Sequence, residues 1–482
     1  MPSVPLPQLL HSAMEATAAR QPGAAAVYDT EGVWTYAELD AASRRYAAHL
    51  ASAGVKAGDR VLIRAVAERW VLAAVYACSR TGAIAVPLNP DLRPAQWEAI
   101  TTDAEPAAVL TRPPATEDLA HTRLVDAVDP GSAVVFLYTS GSTAAPKAVV
   151  CPHRQVLFAA RTVAATLGYR ADDVILCRLP LSFDYGLYQA FMAAITGASL
   201  VLRGPGQDSG LLAAVREHAV TVVPVVPSLA ALLNQLGRRG PAPGVRLLTN
   251  TGQELTSHHI AGLRRTFPAA SVRLMYGTTE CKRVTIAEPD SDLVAPGSVG
   301  GPLPGTTIRV EDSDGRPVAL GEEGHIVVEG PHLMDGYWKD EALTERTYRQ
   351  AASTGERVLH TGDYGHLDAN GNLYLHGRRD DLFKSRGVRT SVAEVEAAVL
   401  GVPDVTDAAV VPPRDGYEAV LFAVTTLPPD EVRRRLHERL EAAKVPAVCR
   451  VLSALPLGGN GKTDRTALRA LVEHNERTDR RG

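Results

Sequence analysis

The stretch FLYTSGSTAAPKAVV, residues 136–150, decides the fold. An apolar, strand-like run ends in a loop of hydroxyls and small residues with one lysine, and a second β-branched run follows. Such a loop turns backbone N–H groups toward an anion. Thr139, Ser140, Gly141, Ser142 and Thr143 add donors, and Lys147 adds a point charge suited to phosphate oxygens. A polyphosphate cradle is expected. It is not a Walker A loop, because that pattern requires glycine at 146 and Ser or Thr at 148, where Pro146 and Ala148 stand. The GKT at 461–463 fails because position 456 is proline, and GPGQDSG at 204–210 is one residue too long for GxGxxG.

Outward from this loop, short β-branched runs alternate with helical stretches: YAELDAASRRYAAHLASAG, RVLIRAV, WVLAAVYACSRTG, AIAVPL. This alternation predicts an α/β fold with a largely parallel, doubly wound sheet. From about Gly297, closely spaced strands with Gly, Pro and Asp-Gly turns predict an antiparallel, barrel-like region. After GRRDD (377–381) alternation returns, with helices expected at VAEVEAAVL and PDEVRRRLHERLEAA. The expected division is a large domain, 1–376, and a small mobile C-terminal α+β domain, 377–482.

The 482 residues carry a formal charge of -4 from 50 basic and 54 acidic side chains, and 45% are hydrophobic. Nothing in that balance suggests a nucleic-acid partner. VTVVPVVPSLAALL (220–233) reads as a buried strand running into a helix, not a membrane span. The N-terminus has no signal-peptide pattern. Five scattered cysteines without a CxxC pair argue against a disulfide framework or a thiolate zinc site, and a reducing, cytoplasmic setting is expected.

Further motifs follow in order: MYGTTE (275–280), HTGDYGHLD (360–368), GRRDDLFKSRGVRTSVAEVE (377–396) and LPLGGNGKTDR (455–465). Together with TSGSTAAPK and the upstream WTYAELDAASRRYAAHL and GAIAVPLNP, they resemble the adenylate-forming superfamily over roughly residues 8–470. This family comprises acyl-CoA synthetases, luciferases and nonribosomal peptide synthetase adenylation domains. The resemblance implies that a carboxylate attacks the α-phosphate of Mg-ATP, giving acyl-adenylate and pyrophosphate. A carrier-protein or coenzyme A thiol then displaces AMP after the small domain rotates.

Carried over residue by residue, the 139–143 loop and Lys147 would hold the outer phosphates. Gly252, Gln253, Glu254 and Gly277 would border the nucleotide, with Tyr276 on adenine and Thr279 at the α-phosphate. Glu280 would hold Mg2+, since a carboxylate beside a triphosphate makes sense through such a metal. Asp363 would accept the ribose hydroxyls with help from Arg378. Asp380 would be the hinge, and Lys462 would bridge the substrate carboxylate and α-phosphate. The family usually has glycine where Ala144 and Ala148 stand, and alanine is tolerated there wherever φ is negative.

LPLSFDYGLYQ (179–189) bears on the acid. Amino-acid adenylation domains commonly have Phe-Asp here, the aspartate binding the substrate ammonium, and Asp184 matches it. The other pocket positions carry over to Tyr185, Tyr188, Ser228, Thr249, Thr251, Met275, Arg283 and Val284. They imply a small polar pocket. Arg283 either pairs with Asp184 or binds a second acidic group on the substrate. The first reading is an ATP-dependent ligase for a small, amino-bearing acid. Alternatives are a CoA ligase for a non-amino acid, an enzyme activating a small oxyacid for an amine, and a silent binding protein. No carrier segment is expected after Arg465, so a carrier would act in trans on a monomer or homodimer.

Overall fold

The computed structural model describes residues 6–114, 128–139, 147–351, 355–378, 382–386, 388–413, 418–458 and 463–479. Two sheets carry the bulk of the chain. In the first, strands run in the order Gly336–Tyr337, Lys147–Pro152, Ala133–Thr139, Ile84–Leu88, Arg60–Arg64, Ala108–Leu110. The phosphate-loop stretch is its antiparallel hairpin, with Thr139 opposite Lys147 and Tyr138 opposite Ala148. Ile84–Leu88 is buried at every position, as expected of a strand covered on both faces.

The second sheet has nine strands. Its centre is a parallel run in the spatial order Ser271–Tyr276, Leu247–Asn250, Val222–Val225, Val174–Cys177, Ser199–Leu202, Ala25–Asp29. Helices predicted from periodicity form where expected. Tyr36–Ser52 starts with a Thr35–Glu38 capping box, and Arg69–Thr81 stops at Gly82 in the left-handed conformation. One apolar core, from Leu10 to Met334, joins both sheets.

Beyond Gly301 an antiparallel sheet of Thr307–Glu311, Gly324–Glu329, Arg357–Leu367, Tyr348–Gln350 and Leu373–Arg378 matches the predicted barrel-like region. Further on, Val405–Val411, Val420–Thr425 and Val448–Leu452 form a three-stranded sheet flanked by Val392–Leu400, Pro429–Leu436 and Arg465–Asp479. Its apolar clusters draw only on residues from Phe383 onward. The helix expected over PDEVRRRLHERLEAA stops at Leu436, short of the expected end, although Leu440 beyond it still packs on the same apolar cluster. All five cysteines are free, and among the described residues no helix is long and apolar enough to cross a membrane.

Candidate active site

The four parallel strands Val174–Cys177, Val222–Val225, Leu247–Asn250 and Ser271–Tyr276 are neighbours, and the residues after their carboxyl ends converge. Open α/β sheets bind ligands at that edge. Ser228 lies in the first turn of helix Pro227–Gly237, and Gly252 turns the chain with φ +85° after Leu247–Asn250. Burial pushes the Glu254 carboxyl upward.

The GTTE loop is held from both sides. Amides of Cys281 and Lys282 donate to Thr278 O, and Val284 N closes on Tyr276 O at 2.8 Å. A Cβ on Gly277 would lie 1.9 Å from Lys282 O, so only glycine fits under the returning strand. Glu280 stands at the turn, where Tyr337 donates to its Oε1 at 2.7 Å and Tyr348 donates to its backbone carbonyl at 3.0 Å. Among the described residues no cluster of three or more metal-ligating side chains exists. One carboxylate with an oxygen to spare still fits Mg2+, which binds one or two carboxylates plus phosphate oxygens and water.

The expected nucleotide residues meet at the next strand. Tyr276 donates to Asp363 Oδ2 at 2.6 Å, and Arg378 Nε donates to Asp363 Oδ1 at 3.2 Å. Burial pushes the Asp363 carboxyl up, and Arg378 and the Tyr276 hydroxyl pull it back. Thr139 and Lys147 face each other at the mouth of the phosphate loop. Ala148 sits in the regular ladder, its carbonyl accepting from Trp338 N at 2.9 Å, and needs no glycine. Ser140, Gly141, Ser142, Thr143, Ala144, Asp380 and Lys462 lie outside the described residues.

A narrow, partly open cavity is lined by Asp184, Tyr185, Tyr188, Met275, Lys282 and Arg283 over an apolar floor. Five of these match the expected acid pocket. Asp184 and Tyr185 open helix Asp184–Thr196, whose tight entry depends on Gly186, where a Cβ would lie 2.3 Å from Pro180 O. Tyr185 N donates to Asp184 Oδ1 at 2.7 Å. Thr249 stands behind the wall, its hydroxyl bonded to that of Tyr185 at 2.7 Å. Thr251 is buried with its hydroxyl unpartnered among the described residues, and neither it nor Ser228 lines the cavity.

Lys282 is the residue that sequence reasoning missed. It is 1% exposed and adopts a left-handed backbone at φ +66°. Its Nζ donates to Thr279 O at 2.8 Å, sits 3.5 Å from Cys151 Sγ, and lies 5.5 Å from the Tyr188 ring centre. Its signal was a Lys-Arg pair one residue beyond GTTE, after Cys281, two cations where the chain turns inward. Arg283 donates to Lys282 O and covers the Tyr185 ring. Among the described residues neither cation forms an ion pair with Asp184. The alternative in which Arg283 ties up Asp184 therefore has no contact behind it. Buried charges require partners, and here both signs face one cavity.

The chain matches the family model described as AMP-binding enzyme over residues 14–128 and 113–338, and that of the AMP-binding enzyme C-terminal domain over 394–462. It is 30% identical to an L-proline--[L-prolyl-carrier protein] ligase of Pseudomonas fluorescens, covering 97% of this chain and 100% of that protein. Against a plipastatin synthase of Bacillus subtilis it is 31% identical over 96% of its own length but only 19% of the larger protein's. Among solved structures, VinN shares 41% identity, with a TM-score of 0.71 over 77% of this chain and 98% of VinN. VinN has also been solved as a complex with L-aspartate. On these matches the chain belongs to the adenylate-forming, AMP-binding enzyme family and is an AMP-forming acid ligase.

Proposed function

We propose that this ligase adenylates a small amino acid bearing a second carboxylate and passes it to a carrier-protein or coenzyme A thiol. The observation that carries this reading is the cavity itself, where buried Asp184 faces buried Lys282 and Arg283 without an ion pair among the described residues. A substrate ammonium completes Asp184. One substrate carboxylate completes Lys282 and Arg283, and guanidinium–carboxylate pairing is strong in such a site. The solved complex of VinN with L-aspartate, an acid of this charge pattern, supports the reading.

The remaining carboxylate is the nucleophile. Its oxygen bonds the α-phosphorus of ATP as the bond to pyrophosphate breaks, and Lys462 and Thr279 offset charge on the forming centre. Lys147 and residues 139–143 hold the departing pyrophosphate. Asp363, Arg378 and Tyr276 hold the nucleoside, and Glu280 would hold Mg2+, which would neutralise phosphate charge. In the second half-reaction the thiol sulfur bonds the acyl carbon, loses its proton, and AMP leaves. Residues 377–482 turn about Asp380 between the two steps, a hinge rotation that withdraws Lys462 from the adenylate before the thiol attacks.

The test is pyrophosphate release with Mg-ATP across amino diacids, ordinary amino acids, aminobenzoates, des-amino diacids and inorganic oxyacids. Turnover is expected with amino diacids. Turnover confined to acids lacking either the amine or the second carboxylate would refute the proposal.

A further inference from the structure

The strand that carries Lys147 is zipped to a second strand whose side chain reaches the metal position. Gly336 pairs with Val150 and Tyr337 with Val149, and Trp338 N donates to Ala148 O. Tyr337 is fixed from the other side as well. Its amide donates to Thr344 Oγ1 at 2.9 Å, and a Cβ on Gly336 would lie 2.4 Å from Thr344 Cγ2. The Tyr337 phenol then spans to Glu280 Oε1 at 2.7 Å. A single side chain thus links the strand leaving the phosphate loop to the carboxylate of the GTTE turn.

We propose that Tyr337 is a positioning residue for Mg-ATP: it holds one oxygen of Glu280 so that the other faces the metal, in register with Lys147. This inference rests on the reading of Glu280 as the Mg2+ ligand given above. The geometry suits the task. The Glu280 carboxylate is on a turn, and Tyr348 and the Met334 amide reach only its backbone carbonyl. Groups that orient a metal ligand through its other atom change metal affinity by about 10-fold or more when removed. Tyr337 does not line the acid cavity, and its phenol bonds Glu280 rather than Asp363.

The experiment measures, by calorimetry on the full chain, the Kd of α,β-methylene-ATP with and without Mg2+. In Tyr337→Phe the metal-loaded Kd is expected to rise about 10-fold, with the metal-free Kd unchanged. The Mg2+ concentration for half-maximal pyrophosphate release should rise in parallel, and KM for the acid should stay put. In a Glu280→Gln background the same change should do nothing further, because the two act as one unit. An equal shift with and without metal, or an additive effect in the double variant, overturns the inference. So does a fall in thermal stability with metal preference intact, which is all a structural role would give. Metal preference lost in Glu280→Gln but untouched in Tyr337→Phe overturns Tyr337 alone. Metal preference that survives Glu280→Gln overturns the assignment of Glu280 and the role of Tyr337 with it. Should Tyr337→Phe fail to fold, Thr344→Val releases the Tyr337 amide while keeping the phenol, and unchanged metal preference there also counts against the proposal.

Discussion

The guanidinium carbon of Arg283 lies 4.8 Å from the centre of the Tyr185 ring, and Tyr185 hydrogen-bonds Thr249 behind it. The arginine is therefore aimed by a stacked aromatic wall rather than by a carboxylate. A cation held this way keeps its charge available to a ligand, because ring stacking leaves most N–H donors open. Its Nε is buried and unpartnered among the described residues.

Truncating either cation should therefore fall on the acid. For Arg283→Ala and Lys282→Met, kcat/KM for an amino diacid should drop on the order of 10²-fold, since removing one partner of a buried charge pair costs about 2–5 kcal/mol. Acids with a single carboxylate should be spared. Steady-state kinetics on paired substrates check this, and an equal loss on both classes would remove the second carboxylate from the reading.

Asp184→Asn addresses the other end. The Tyr185 amide bond to Oδ1 survives in asparagine, so the helix entry holds while the negative charge is lost. KM for amine-bearing acids should rise, and selectivity over the des-amino analogue should collapse. Competition between the two acids for one enzyme pool measures that ratio directly.

Lys462→Ala separates the half-reactions. Adenylate formation should fall on the order of 10² to 10³, the cost of one preorganised charge contact, while thioester formation from supplied acyl-AMP continues. Unchanged adenylation would sink the assignment of Lys462.

Gly277→Ala tests how the cations are placed. The new Cβ would meet Lys282 O and Arg283 Cα, both backbone or backbone-borne, so the loop itself must move. Affinity for the acid should fall well before the thermal transition does, as seen by titration calorimetry beside a melting curve.

That loop also marks where the sequence stops being legible. The strands, the main helices and the phosphate hairpin follow from β-branched runs, capping residues and turn chemistry, which are local. Asp184 and Arg283 were visible as charges in pocket positions. Lys282 was not, because its burial depends on Gly277 admitting the returning strand and on a left-handed backbone at a non-glycine residue. Tyr337 was equally hidden, since its partner Glu280 is 57 residues away and the two meet only through a cross-sheet pairing. Whether Arg283 would choose Asp184 or Tyr185 is a question of side-chain direction, which spacing does not encode.

Acid should weaken the large domain through histidines buried without charge. His332 is 1% exposed, both ring nitrogens are unpartnered among the described residues, and it stacks on Phe158. Burial pushes its pKa down to about 4. The folded value is depressed, so its contribution is present above the ordinary histidine range and is lost as pH falls from about 6.5 toward 4. Between pH 7.5 and 5.5 the unfolded chain takes up a proton that the folded chain refuses, which costs about 1.3 kcal/mol. His332→Phe keeps the aromatic packing and removes the titration. Its unfolding free energy, measured in urea at both pH values, should fall by about 1.3 kcal/mol less than that of the parent protein. His11, His153 and His259, which burial also depresses, remain in both proteins and cancel in that difference. An unchanged difference would mean that His332 is protonated in the folded state, and that its ring nitrogens have partners the fold does not show.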